Sequence, residues 1–218
     1  MVKEGYWYGL PLLLVAGGLI GLRLYVPGAF FLLIALLVLN FFRDPERFIP
    51  SDPGAIVAPA DGRVVEIRVE SWEGRPVRRL SIFMSPLDVH VNRSPISGTI
   101  REVTYRKGSF RIASQALASL ENEQNVFTIT GEQGIVVVKQ IAGLLARRIV
   151  FWKKPGDALQ RGERVGLIKF GSRLDLIIAP EVELLARVGD HVRAGSSIVA
   201  MTPKTAAVGE RQAQSTQS

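Results

Sequence analysis

Two patterns of hydrophobic and polar residues divide the chain, and they meet near residue 44. Residues 1–43 contain two nearly continuous apolar runs, GLPLLLVAGGLIGL and AFFLLIALLVLNFF, with a break at VPG between them. Each run is close to the lower length limit for a helix that crosses a membrane. Nearly every face of both runs is apolar, whereas a helix packed on a soluble domain normally keeps a polar stripe. The pattern predicts an N-terminal transmembrane helical hairpin over residues 1–43.

Basic residues flank this hairpin. Lys3 precedes the first run, and Arg43 and Arg47 follow the second. Because positively charged flanks tend to stay in the cytoplasm, the rest of the chain is predicted on the cytoplasmic side of the cell membrane. A secretory signal peptide is one alternative, but it explains a single run, and no small-residue cleavage site separates the two. A hairpin buried in the core of a soluble domain is the other alternative.

The remaining chain has the pattern of a β protein. From residue 44 to residue 202, short runs of Val, Ile and Leu alternate with Gly, Pro and charged residues. This predicts a mainly β domain, a folded-over sandwich or partly closed barrel. The stretch SFRIASQALASLEN predicts a weak helix or a loop around Gln115 to Leu120. Residues 203–218 are polar and rich in small side chains, which indicates a disordered tail.

One frame, G-D-x-Φ-x-x-G followed by an apolar strand, occurs twice, in PGDALQRGERVGLI and in VGDHVRAGSSIVAM. Glycines at both ends fit turns that need positive φ, and the aspartate carboxylate can cap such a turn. The frame is also common in small barrel-sandwich modules that carry biotin or lipoyl groups. A membrane-anchored carrier or adaptor module is therefore an alternative function. Its nearest lysine, Lys169, lies inside an apolar run beside FGS rather than at a hairpin tip.

Composition removes several classes of chemistry. The chain has no cysteine, so disulfides, thiolate ligands and thiol nucleophiles are excluded, and its two histidines do not have the spacing of a zinc site. A zinc endopeptidase of the cell-wall type needs an H-x-H pair, where this chain has HVN. The net charge of +7 fits an anionic partner. The hairpin favours a membrane over nucleic acid, since no surface of interleaved aromatic and basic residues is apparent among the strands.

Three polar residues stand in unusual surroundings: Asp61 in APADGRV, His90 in SPLDVHVNRSP, and Ser172 in IKFGSRLDL. Each has an ordinary structural explanation by itself. Asp-Gly is a common turn dipeptide, a histidine between two valines is often half buried, and Gly-Ser is frequent in loops. None of the three assigns a function alone.

Taken together and in order, the strings FFRDPER, APADGRV, FMSPLDVHVNRSPISG and FGSR resemble the phosphatidylserine decarboxylase family, in its short, membrane-anchored, pyruvoyl-dependent form. The resemblance implies that the chain cleaves itself between Gly171 and Ser172 and converts Ser172 into a pyruvoyl group, with no external cofactor. The two fragments then stay together as a heterodimer. The pyruvoyl carbonyl forms a Schiff base with the serine headgroup of phosphatidylserine or archaetidylserine, and loss of CO₂ gives the ethanolamine lipid.

The resemblance also assigns roles to side chains. A serine nucleophile needs a base and an orienting carboxylate, and His90 and Asp61 are the available pair. Longer bacterial members carry a second histidine three positions after the first, where this chain has Arg93. Either His90 serves both self-cleavage and turnover, or Asp88 shares the role.

Arginines are the predicted contacts of the lipid headgroup. Arg43, Arg47 and Arg93 are predicted to bind substrate, and surface cations such as Arg63 and the group Arg147, Arg148, Lys153 and Lys154 to face anionic lipid or solvent. His191, in the second G-D turn, is predicted to be a surface residue.

Overall fold

In the computed structural model, the described residues are 1–108, 122–143, 148–169 and 172–203. The segment predicted as a weak helix or loop around Gln115 to Leu120, the residues Arg147 and Gly171, and the predicted disordered tail from residue 204 onward lie outside these ranges. Within them the chain forms an N-terminal helical hairpin followed by strands. The mainly β fold class is confirmed.

The hairpin consists of α1 (Lys3–Gly21) and α2 (Tyr25–Phe41). The chain reverses at Arg23, which has a φ of 62°. Small residues allow the two helices to approach closely, since a Cβ on Gly9 would lie 2.5 Å from a methyl group of Leu39. The sequence pattern therefore predicted the two helices correctly.

A membrane crossing by these helices is not supported. In the described ranges, no helix combines the length and the apolar character that a span requires. The physical reason is visible in both helices. The 17 residues of α2 fall short of the roughly 20 that a bilayer needs. The 19 residues of α1 include Lys3, Glu4 and a cluster of Tyr and Trp at its start.

The β domain has fourteen strands in the described residues. They are β1 (Ala55–Val57), β2 (Gly62–Trp72), β3 (Arg75–Met84), β4 (Val91–Arg93), β5 (Gly98–Arg106), β6 (Gln124–Gly131), β7 (Gly134–Ala142), β8 (Ile149–Phe151), β9 (Ala158–Leu159), β10 (Arg164–Ile168), β11 (Ser172–Ile178), β12 (Glu183–Leu184), β13 (His191–Val192) and β14 (Ile198–Met201).

These strands form one large sheet and two small ones, with antiparallel pairing. The large sheet has eight strands in the order β13-β2-β3-β11-β7-β6-β5-β9. The small sheets have the orders β1-β14-β12 and β4-β10-β8. Strand β11 pairs on one side with β3 and on the other with β7, so it lies in the interior of the large sheet.

Alternation along β11 assigns its two faces. Leu174, Leu176 and Ile178 face the main hydrophobic core, together with Leu80, Ile82 and Met84 of β3. Burial of each such side chain stabilises the fold by about 1.5–3 kcal/mol. Since successive side chains of a strand point to opposite faces, Arg173 and Asp175 lie on the other face. Both are nevertheless buried.

The repeated G-D frame forms the predicted turns. Gly156, Gly162, Gly189 and Gly195 all have positive φ, between 77° and 101°. In the first frame the Asp157 carboxylate accepts a hydrogen bond from the backbone N–H of Lys154 at 3.0 Å. In the second, Asp190 accepts one from Arg187 at 2.8 Å. The turn prediction is confirmed.

A second, smaller hydrophobic cluster joins the hairpin to the β domain. Val2, Phe41 and Phe42 of the hairpin pack against Val89, Val91 and Leu167. This contact brings the base of the hairpin to the segment that contains His90.

Candidate functional site

Ser172 is the first residue of β11 and is completely buried. Its neighbours in the sheet are Met84 on β3 and Ala142 on β7. The Ser172 hydroxyl donates to the Met84 sulfur at 3.8 Å, which is a weak interaction because sulfur is a poor acceptor. The hydroxyl therefore sits in an apolar environment, loosely held, at the start of an interior strand.

His90 directly precedes β4 and is 1% exposed. Its Nδ1 lies 2.9 Å from the backbone oxygen of Asp88, and its ring centroid lies 4.1 Å from that of Phe41. Because a carbonyl oxygen only accepts, Nδ1 carries the proton and Nε2 carries the lone pair. Nε2 is buried and has no hydrogen-bond partner among the described residues.

Burial also sets the protonation state of this histidine. It lowers the pKa of His90 to about 4, and the positive charge of Arg43 acts in the same direction, against a smaller opposing effect of Asp88. At neutral pH the imidazole is uncharged, with a free lone pair on Nε2. His90 is therefore suited to accept a proton.

The two small-sheet strands β4 and β10 bring His90 towards the Ser172 segment. Leu167 of β10 pairs with Val91 of β4, and β10 ends at Ile168, only a few residues before Ser172. Asn92 of β4 donates to the Met84 sulfur at 3.6 Å, the same sulfur that Ser172 contacts. Among the described residues, however, His90 and Ser172 share no hydrogen bond.

Three buried side-chain amides form a hydrogen-bonded chain that begins at Asn92, and sequence reasoning missed it. The Asn92 oxygen accepts from Gln140 at 2.8 Å, and the Gln140 oxygen accepts from Asn125 at 2.8 Å. All three side chains are at most 2% exposed. One signal was present in the sequence: Gln140 interrupts the apolar run of GIVVVKQIA. In the sequence, the asparagine of HVN indicates only that the second histidine of a zinc site is absent.

The structure places Asp61 against Arg47 rather than against His90. Both carboxylate oxygens of Asp61 accept from Arg47 Nη2, at 2.9 and 2.8 Å, and one also accepts from the backbone N–H of Ala194 at 2.8 Å. In the part of the chain that the structure describes, no hydrogen bond joins Asp61 to His90. The role of Asp61 in self-cleavage remains a prediction.

Asp88 contacts the histidine through its backbone. Its carboxylate accepts from the backbone N–H of Ser85 at 2.8 Å and lies 3.5 Å from Nε2 of His191. The carbonyl of Asp88 holds the Nδ1 side of the His90 ring. His191 is exposed, as predicted.

The three predicted substrate-binding arginines have different surroundings. Arg47 is paired with Asp61, and Arg93 donates to Asp44 at 2.7 Å and to Gly162 O at 3.0 Å. Arg43 donates only to two carbonyls in the described structure, those of Asn40 at 2.8 Å and Leu87 at 2.7 Å. Arg43 is therefore the one of the three whose charge no described carboxylate neutralises.

Several of the predicted surface cations are indeed at the surface. Arg63, Arg148 and Lys154 are exposed. Lys153 is ion-paired with Glu163.

The fold and the site define a class of protein: a mainly β chain with a buried serine at the head of an interior strand and a buried neutral histidine on the segment that contacts the same methionine. The family model described as phosphatidylserine decarboxylase matches residues 34–200. The chain is 50% identical over 204 residues to the phosphatidylserine decarboxylase proenzyme of Solibacter usitatus, covering 92% of this chain and 96% of that one. It is 45% identical over 209 residues to the proenzyme of the same name from Salinibacter ruber, covering 93% and 85% of the two chains.

A relative from Geobacter metallireducens with that name is 41% identical over 211 residues, which is 93% of this chain and 97% of the relative. This chain belongs to the phosphatidylserine decarboxylase family. The resemblance stated from the sequence is confirmed.

Proposed function

We propose that this chain is a self-processing phosphatidylserine decarboxylase, which breaks its own backbone between residues 171 and 172 and makes a pyruvoyl group from Ser172. Family membership and the word proenzyme in the names of the relatives support the activity and the processing. The single observation in the structure that carries the assignment is the burial of Ser172 at the head of β11, against the same Met84 sulfur that Asn92, two residues after His90, contacts.

The surroundings of Ser172 fit a pyruvoyl group. Conversion of the serine replaces its CH₂OH by a methyl group, and the side chain already lies against Met84 in an apolar core. Once formed, a pyruvoyl carbonyl binds the amine of the substrate and takes up the electron pair that loss of CO₂ leaves behind. Every atom of its carbon skeleton comes from this chain.

His90 supplies the base in this proposal. Self-cleavage requires that the Ser172 hydroxyl lose its proton as it attacks the preceding carbonyl, and that the α-proton of the resulting ester then be removed. The neutral imidazole with its unpartnered Nε2 is the described group suited to both steps. Asp88 orients the ring through its carbonyl. Asp61 acts at a distance, by holding Arg47 and the backbone of Ala194.

Arg43 is the proposed contact of the substrate phosphate. Its side chain already contributes to the electrostatic environment of His90, and its described partners are neutral carbonyls. Arg93 and Arg47 are proposed to support the site indirectly through Asp44 and Asp61. A phosphoserine headgroup on either a diacyl or an archaeal ether lipid fits this arrangement.

The hairpin is the proposed membrane contact, with the β domain on the cytoplasmic side. Trp7, Leu14, Leu22 and Val26 are between 73% and 83% exposed, which is unusual for large apolar side chains on a helix pair. Immersion of these side chains in lipid would remove them from water. The base of the same hairpin packs beside His90, so the site would face the bilayer that holds its substrate.

The carrier alternative has no support. Lys169, its nearest lysine, does not lie at a hairpin tip. Its ammonium group lies 5.0 Å from the centroid of the Tyr8 ring and 3.3 Å from the Tyr8 hydroxyl, against the hairpin.

An intact-mass measurement tests the proposal. Purified protein is expected to give two fragments, residues 1–171 and 172–218, that stay together in native mass spectrometry and release CO₂ from phosphatidylserine. Ser172→Ala is expected to stay whole and inactive. An active chain of full, uncut mass would contradict the proposal.

A further inference from the structure

Arg173, the last residue of the FGSR string, directly follows Ser172 and is 1% exposed. Its guanidinium donates to three side chains. Nη2 donates to Glu66 at 2.9 Å and to the Ser81 hydroxyl at 2.7 Å, and Nε donates to Asp175 at 2.6 Å. A buried arginine is costly unless it is paired and hydrogen-bonded in this way.

A second arginine completes what we call the Arg173 cluster, formed by Arg173, Asp175, Glu66, Arg79 and Ser81. Arg79 donates to the same Glu66 oxygen at 2.9 Å and to Ser81 at 2.8 Å, and it lies 3.6 Å from Asp175. Burial alone would raise the pKa of Glu66, but hydrogen bonds and charges from Arg79 and Arg173 outweigh it and lower that pKa. The cluster therefore pairs two guanidiniums with two carboxylates, and Arg79 also donates to a third carboxylate outside it, that of Glu70, at 3.0 Å.

The members of the cluster come from both sides of the bond between residues 171 and 172. Glu66 lies on β2, and Arg79 and Ser81 lie on β3, all before that bond. Arg173 and Asp175 lie on β11, after it. A cut before Ser172 turns the head of β11 into a free chain end, and strand ends fray when nothing ties them down. Apart from the backbone pairing of β11 with β3 and β7, the hydrogen bonds of the Arg173 side chain are the nearest ones that hold this end to the preceding part of the chain.

We infer that Arg173 is a positioning residue, whose bonds to Glu66 and Ser81 hold residue 172 in place once the chain ends there. The inference rests on the proposed function, because it assumes that the chain is cut before Ser172. It predicts that the arginine of FGSR contributes to turnover. Loss of these bonds would let residue 172 move without removing any group that contacts substrate.

The experiment compares four variants with wild-type protein: Arg173→Met, Arg173→Lys, the double variant Arg173→Met with Glu66→Gln, and Arg68→Met. The double variant removes one positive and one negative charge, so it leaves no buried charge unpaired and protects the fold. Arg68 is the matched control, because it is 3.1 Å from the other oxygen of Glu66 but has an exposed side chain and no hydrogen bond or ion pair with β11 among the described residues.

The readouts are intact mass, melting temperature, and kcat and KM for phosphatidylserine in mixed micelles, with kcat expressed per cut chain. Arg173→Met is expected to lower kcat by roughly ten- to a hundred-fold with little change in KM, because a displacement of about 1 Å at a reacting centre has effects of that size. Arg173→Lys is expected to recover part of kcat. Arg68→Met is expected to stay within about two-fold of wild type.

The double variant separates positioning from stability. Its melting temperature is expected to be close to that of wild type, because the charges are balanced. Its kcat is expected to stay low, because the hydrogen bonds of Arg173 to Glu66 and Ser81 are still missing. Recovery of wild-type kcat in the double variant, or a wild-type kcat in Arg173→Met, would overturn the inference. Failure of the proposed function would look different, because wild-type protein itself would then be uncut.

Discussion

At the scale of single residues, the state of His90 matters most. The ring is buried, one nitrogen is fixed by a carbonyl, and the other has no described partner. A histidine with an ordinary pKa would be partly charged near neutrality, whereas this one is neutral. Its lone pair is therefore available over the whole physiological range.

The pH dependence of self-cleavage follows from this state. A folded pKa of about 4 means that the basic form is present above that pH and is lost as the pH falls through it. The cleavage rate is expected to be flat between roughly pH 6 and pH 8 and to fall with a midpoint near pH 4. Freshly translated chain, shifted to each pH and sampled on a denaturing gel, gives the rate. A midpoint near the ordinary value of histidine would contradict a buried neutral base.

Asp61 gives a second prediction, because its carboxylate neutralises an arginine whose side chain is 8% exposed. Asp61→Asn leaves that charge uncompensated, so we expect a loss of about 3–5 kcal/mol in the free energy of unfolding. Adding Arg47→Met is expected to restore much of it. Chemical denaturation of these variants in a Ser172→Ala background measures the effect without interference from cleavage. If Asp61→Asn unfolds like its parent, the ion pair contributes little to stability.

Motifs located the site residues, but the partners of those residues could not be predicted. Asp61, His90 and Ser172 were found as strings along the chain. The bond between Asp61 and Arg47, or that between Asn92 and Gln140, depends on which distant segments the fold brings together. A polar residue in an apolar run is visible in a sequence, while its hydrogen-bond partner is not.

At the scale of elements, local turns were predictable and strand order was not. The G-D frame fixes its turn through glycine and aspartate within a few residues, and the turns formed as expected. The order β3-β11-β7 joins strands that are far apart in the chain, and periodicity carries no information about that order.

The turn glycines offer a matched test. A Cβ on Gly156 would meet open space, whereas one on Gly162 would lie 2.3 Å from a methyl group of Ile49. Both have positive φ, so alanine is expected to cost about 1–2 kcal/mol at either site from backbone strain. Gly162→Ala is expected to cost more, because Ile49 must also move. Denaturant midpoints of the two variants give the comparison. Equal losses in the free energy of unfolding would show that the Ile49 side chain moves aside at no measurable cost.

At the scale of the whole molecule, the hairpin presents apolar side chains that the β domain does not cover. The sequence pattern predicted two helices with apolar faces all round, and that much was correct. The pattern did not give the ends of the helices, and among the described residues neither helix combines the length and the apolar character of a membrane span.

Vesicle binding tests the membrane contact. A double variant, Trp7→Asp with Leu14→Asp, places charges on side chains that are 80% and 77% exposed. An aspartate in the hydrocarbon region costs about 3 kcal/mol, so vesicle binding is expected to weaken by roughly ten-fold or more. Val69→Asp, at a 69% exposed site on β2, is the control and is expected to bind as wild type. Unchanged sedimentation of the double variant with vesicles would exclude the hairpin as the anchor.

The interior place of β11 has one further consequence. With the proposed cut before Ser172, β11 would begin the C-terminal fragment, and both strands that pair with it, β3 and β7, would belong to the N-terminal fragment. The C-terminal fragment could then leave only by breaking the hydrogen bonds on both sides of β11, so we expect no exchange of a damaged fragment for an intact one. On this proposal, renewal of the activity would require synthesis of a new chain.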